Sequence, residues 1–194
     1  MSVQKRTTHF RGRVVSLTVD EVVLPNGNRV ELELVHHPGG AVIAAVDSRR
    51  QVCLLRQYRH AVGEWVWELP AGKLEPGEPA LETARRELVE EAGVSARNWR
   101  SLGAYFSSPG VFTEILHLFL ATDLEPARAA PESSEVFEVR WMPLEEALRW
   151  VFSGEIRDAK TALGLLQANH ALGAQASYSE KSVTDSVAGP ARQP

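Results

Sequence analysis

The chain has 194 residues, 44% of them hydrophobic and 24% charged, an ordinary globular composition that allows one well-buried core and is short for two full domains. Its formal charge is −4, and residues 68–91 account for all of it, with Glu68, Glu75, Glu78, Glu82, Glu87, Glu90 and Glu91 set against Lys73, Arg85 and Arg86. The longest apolar run, Ala41 to Val46, is far below the roughly 20 residues of a membrane span, and MSVQKRTTHF lacks a signal peptide's apolar core. With no basic stripe there is no invitation to nucleic acid either, so the expectation is a soluble, cytoplasmic protein with neither membrane nor nucleic acid as partner. The single cysteine, Cys53 in VCLL, reads as a buried strand residue, and no zinc site is implied.

In chain order, Val14 to Val23, the turn Pro25-Asn26-Gly27-Asn28, and the alternating Val30, Leu32 and Leu34 predict a β-hairpin. Pro38-Gly39-Gly40 separates it from AVIAAV and VCLL, two apolar runs suited to central strands. A short strand is expected over Trp65 to Leu69, closed by Pro70-Ala71-Gly72, then a helix from Pro79 to Ala92 that Gly93 stops. Strands follow at about 99–106 and 112–121, and another over Phe137 to Trp141, with helices over Leu144 to Phe152 and Asp158 to Leu172. Past Gly173 large apolar residues nearly vanish, so a disordered tail is expected. The organisation read from this is an N-terminal sheet over 1–38, a main domain over 39–172 and a tail over 173–194, in an α/β or α+β sandwich.

The acidic segment is where chemistry is expected. At 100° per residue, Glu87, Glu90 and Glu91 share an arc of roughly 100° on their helix. Leu81, Ala84, Leu88 and Ala92 form the adjacent apolar stripe, so the carboxylates border the buried face. Arg86, four residues before Glu90, is placed to hold it. Like charges on one face repel unless a cation relieves them, and clustered oxygens beside a tight loop suit Mg²⁺ or Mn²⁺. The sequence therefore predicts a carboxylate cluster left unneutralised without metal.

Gly72, Glu78, Arg86-Glu87-Leu88, Glu90-Glu91, Gly93 and Val94, at their spacings, reproduce the whole Nudix box without a substitution. The chain thus resembles the Nudix hydrolases, which implies an α/β/α sandwich with a mixed central sheet and the metal-dependent hydrolysis of a nucleoside diphosphate linked to another group. The resemblance implies Glu87 and Glu91 as direct ligands with the Ala71 carbonyl, Glu90 as ligand or base held by Arg86, and two or more ions.

Flanking runs, Arg56-Gln57-Tyr58-Arg59, Trp67-Glu68-Leu69-Pro70-Ala71-Gly72 and Ser108-Pro109-Gly110 with Glu114, resemble the ADP-ribose pyrophosphatase group. This implies Arg59 on the substrate diphosphate or ribose, Ser108, Pro109, Gly110 and Glu114 around the terminal ribose, and Glu33 near adenine across a homodimer formed through the N-terminal hairpin. Two positions depart from the group: Leu32 stands where an arginine is common, and Ser133 replaces a glutamate in the acidic loop Glu132-Ser133-Ser134-Glu135. Glu135 is the implied base and further metal ligand, with Glu132 or a box glutamate as alternatives. The implied reaction converts ADP-ribose to AMP and ribose 5-phosphate; the alternatives are another nucleoside-diphosphate sugar such as ADP-glucose or GDP-mannose, a damaged nucleotide, or a catalytically silent nucleotide-sugar sensor.

Overall fold

The computed structural model of the chain describes residues 2–130 and 136–187. Three strands come first, β1 (Ser2–Arg11), β2 (Ser16–Val23) and β3 (Arg29–His36), paired antiparallel in that order. The sequence predicted only the β2–β3 hairpin. β1 escaped because Val3 and Phe10 are its only large apolar residues and it shows no alternation. It is held by the backbone ladder to β2 and by cross-strand pairs, Lys5 to Glu21 at 2.9 Å and Arg6 to Asp20 at 2.6 Å.

Strand β4 (Gly40–Ala45) is the centre of the main body and is wholly buried. It pairs parallel with β9 (Ile115–Pro126) and antiparallel with β7 (Ala71–Lys73), while β8 (Val94–Phe106) completes a mixed four-stranded sheet of order β7-β4-β9-β8. A second sheet, all antiparallel, has the order β10-β5-β6, with β5 at Gln51–Arg59, β6 at Glu64–Glu68 and β10 at Phe137–Pro143.

The run AVIAAV is apolar throughout because both its faces are covered. Ala41, Ile43 and Ala45 pack with Ala84 and Leu88 of α1 (Ala80–Ala92) and with Cys53. Val42, Ala44 and Val46 face a larger cluster with Leu144 and Ala147 of α2 (Leu144–Ser153) and Leu165, Ala168 and Ala171 of α3 (Ala159–Val187). One helix on one side and two on the other make the expected α/β/α sandwich. Leu88, fully buried, contributes roughly 1.5–3 kcal/mol to fixing α1 on the sheet.

The predicted stop of α1 is observed: Gly93 sits at φ 65°, in the left-handed region that glycine tolerates, and its N–H bonds Val89 O. Two differences concern length. β7 forms where only a turn was expected, since Ala71, Gly72 and Lys73 continue straight into pairing with β4. α3 runs on to Val187 where a helix ending at Leu172 was predicted, because no proline interrupts the chain between them.

Candidate active site

The loop between β7 and α1 is tied in place by side chains of the helix it precedes. Glu78 accepts from Thr83 Oγ1 at 2.8 Å, from the Glu75 N–H at 3.2 Å and from Arg86 Nε and Nη2 at 3.2 Å each. The Arg86 bonds, then Thr83, hold the Glu78 carboxyl down at about 2, well below the usual range. Arg86 also reaches Glu87 at 2.7 Å and Glu90 at 3.1 Å. These carboxylates, Glu78 foremost, push its guanidinium pKa up.

Arg86 therefore contacts three carboxylates where the sequence assigned it Glu90 alone. The acidic arc, expected to be unneutralised without metal, is partly neutralised by this one side chain. Sequence spacing identified the i, i+4 partner; the fold-back of the loop that brings Glu78 alongside is not visible in helical periodicity.

Glu87 and Glu91 both lie on the buried side of α1. Glu91 Oε2 accepts from the Ala71 N–H at 2.9 Å, tying helix to β7. Gly72 lies directly beneath Glu87: a Cβ there would overlap the Glu87 carboxylate, so the close approach of backbone to side chain requires glycine.

A cavity of about 330 Å³ opens over this point, at the low end of ligand-pocket sizes. Ala71, Gly72 and Glu87 meet Arg59, Glu114, His37, Lys73 and Lys160 in its lining. Arg59, at the end of β5, forms a two-pronged pair with Glu68, Nε to Oε1 at 2.6 Å and Nη2 to Oε2 at 2.8 Å, which raises the arginine pKa. Burial by itself would raise the Glu68 carboxyl; the bond from Arg59 and the charge of Lys160 outweigh it and hold it below its ordinary value. Glu114 stands 3.2 Å from His37 Nδ1. Cys53, buried in β5 with Ala84 and Leu88 of α1, is pushed up to about 12, chiefly by burial.

Of the residues assigned from sequence, Ala71, Glu87, Arg59 and Glu114 thus line one cavity, with Glu91, Glu90 and Arg86 on the helix beside it. Ser108, Pro109 and Gly110 form an exposed turn outside the lining, where Ser108 O accepts from the Val111 and Phe112 N–H groups. Glu33 is exposed on β3, opposite Val19, and is also not part of the cavity within one chain. Glu132 and Glu135 lie outside the described residues. Sequence reading missed His37, Lys73, Lys160 and the partnership of Glu68 with Arg59. Glu68 lies in the acidic stretch, but nothing local announces an arginine nine residues earlier as its partner.

Among the described residues no three side-chain ligands converge at metal-binding distance. Arg86 draws Glu87 and Glu90 towards itself, and Glu91 is turned to the Ala71 N–H. The donor chemistry nonetheless fits a hard divalent cation, being all carboxylate and carbonyl oxygen around a backbone that glycine lets come close.

A sandwich carrying a carboxylate helix under a polar, cation-lined cavity defines a hydrolase of phosphate anhydrides. Residues 35–162 match the NUDIX domain, and the chain belongs to that family as an enzyme of Nudix pyrophosphatase type. Hydrolases of this family generally use divalent metal ions. The ADP-ribose pyrophosphatase of Bacillus subtilis is 41% identical over 170 residues, 86% of this chain and 92% of that protein. The ADP-ribose pyrophosphatase of Mycobacterium tuberculosis is 38% identical over 85% of this chain and 81% of its own length, and a GDP-mannose pyrophosphatase of Salmonella typhimurium is 36% identical over 73% and 80%. A solved structure described as an ADP compounds hydrolase shares the fold, with a TM-score of 0.78 at 22% identity over 90% of this chain and 95% of that one.

Proposed function

We propose that the protein hydrolyses the diphosphate of ADP-ribose to AMP and ribose 5-phosphate, with two or more Mg²⁺ ions that Mn²⁺ can replace. The observation that carries this reading is the convergence in one cavity of Glu87 from the box, Ala71 immediately before it, Arg59 from β5 and Glu114 from the loop before β9, stretches far apart in sequence. Two of the relatives above, at 41% and 38% identity, are named for the same substrate.

Glu87, Glu90 and Glu91 would hold the cations with the Ala71 carbonyl. When bound, the metal activates water and offsets charge on the diphosphate. Arg59 donates to the phosphate oxygens, a task suited to its planar fork, and Glu114 accepts from ribose hydroxyls. Water oxygen adds to one phosphorus, the bridging P–O bond breaks, and the other phosphate leaves with the electron pair. The water's proton passes to a carboxylate, assigned to Glu135, with Glu132 or a box glutamate as alternative. Arg86 holds the box carboxylates in register for these roles.

A panel of ADP-ribose, ADP-glucose, GDP-mannose and an oxidised nucleotide, assayed with Mg²⁺ on the purified chain, tests this. The expected result is the highest kcat/KM for ADP-ribose with AMP and ribose 5-phosphate as products. A kcat/KM for ADP-ribose far below that of another member would reassign the substrate, and no turnover of any would favour a silent sensor.

A further inference from the structure

The cavity lining holds two cations whose counter-charges stand behind them. Arg59 comes from β5 and Lys160 from the first turn of α3. Glu68 Oε2 accepts from both, from Arg59 Nη2 at 2.8 Å and Lys160 Nζ at 2.5 Å, and Lys160 Nζ also meets Asp158 Oδ2 at 2.9 Å. The Glu68 side chain is 4% exposed, against 43% for Arg59 and 18% for Lys160. Glu68 is thus the buried member of the cluster, and Arg59 and Lys160 are the members that line the cavity.

We propose that Lys160 is a second contact for the substrate diphosphate, acting beside Arg59, and that Glu68 is the positioning residue holding the two cations one carboxylate oxygen apart. This rests on reading the site as that of a diphosphate hydrolase. Substrate brings negative charge to a cavity that already contains Glu87 and Glu114, so attraction depends on every cation aimed inward. The lysine stem, flexible elsewhere, is ordered before substrate arrives, because Glu68 is itself fixed by Arg59 and Asp158 by Thr161, whose N–H and hydroxyl donate to it at 3.0 and 2.5 Å.

The test compares Lys160→Gln, Lys160→Arg and Glu68→Gln in the full chain. For Lys160→Gln, KM for ADP-ribose is expected to rise about tenfold or more with kcat within about threefold, as loss of one charge-assisted bond implies. Log kcat/KM should also fall less steeply with ionic strength than in wild type, and Lys160→Arg should restore most of both. Glu68→Gln, which leaves both cations in place, should raise KM while keeping the wild-type salt slope. A lysine that merely balances Glu68 and Asp158 would lower Tm in Lys160→Gln but leave KM and the salt slope unchanged, and that result overturns the proposal. Binding of inorganic pyrophosphate, measured by calorimetry, decides the matter independently of which sugar is the substrate. Affinity about tenfold weaker in Lys160→Gln supports the contact and equal affinity overturns it, whereas wild type that leaves ADP-ribose intact counts against the function proposed above.

Discussion

Gly72→Ala separates the catalytic geometry of the box from its stability. Gly72 is not in the left-handed region, so alanine there carries no backbone penalty; the cost is the overlap of its Cβ with the Glu87 carboxylate, the movable end of a side chain. Relief requires Glu87 to rotate and to give up its 2.7 Å bond to Arg86. Overpacking of this kind costs about 1–3 kcal/mol, which at this chain length lowers Tm by roughly 2–4 °C for each kcal/mol. Activity should suffer far more, because displacing a group by about 1 Å in a positioned site costs on the order of a hundredfold. The assay is kcat/KM with Mg²⁺ and the best substrate of the panel, alongside a calorimetric melt. A variant with a lowered Tm and wild-type kcat/KM would refute the placement of Glu87 over Gly72 in the working enzyme.

Glu91→Gln should lower kcat on the order of 10²–10³-fold, since a neutral amide replaces a carboxylate of the proposed cation site; full activity in a clean preparation would remove Glu91 from that site. Chelation with EDTA should abolish turnover, and Mg²⁺ at about 100 times its Kd should stabilise the fold by about 2.7 kcal/mol if it binds only the native state, seen as a rise in Tm that saturates with metal. Glu78 has its folded-state carboxyl lowered from 4.5 to about 2, so its contribution to stability is present above pH 4.5 and is lost as pH falls towards 2. The Tm difference between wild type and Glu78→Gln should therefore be largest near pH 6 and close towards pH 2, and a gap independent of pH would contradict the Arg86 pairing. β1 is exposed along its whole length, with Val3 and Phe10 each at least half exposed, and an uncovered edge strand of a small sheet needs cover. We expect a homodimer through it, and light scattering that reports only the 21.4 kDa chain would count against this.

Structure is legible in the sequence where the determining signals are short-range. Proline before and glycine after a run with an apolar stripe delimit α1, because caps and periodicity act within a turn or two of the chain. AVIAAV announced a strand buried on both faces because only such a strand can be apolar at every position. β1 had no such signature. Its pairing depends on β2, so its place was settled by a partner rather than by its own residues.

Spacing along the chain likewise determined which side chains share a helix face, and so brought Glu87, Glu90 and Glu91 together and named the chemistry. Only the tertiary structure decided what faces them. Arg59, Glu114 and Lys160 reach one cavity from β5, the loop before β9 and α3, and Glu78 reaches Arg86 through a loop. Helical periodicity is a property of consecutive residues, whereas those meetings are set by how β4 pairs with β7 and β9 and how α3 packs on the sheet, contacts between segments whose order in space no local spacing encodes.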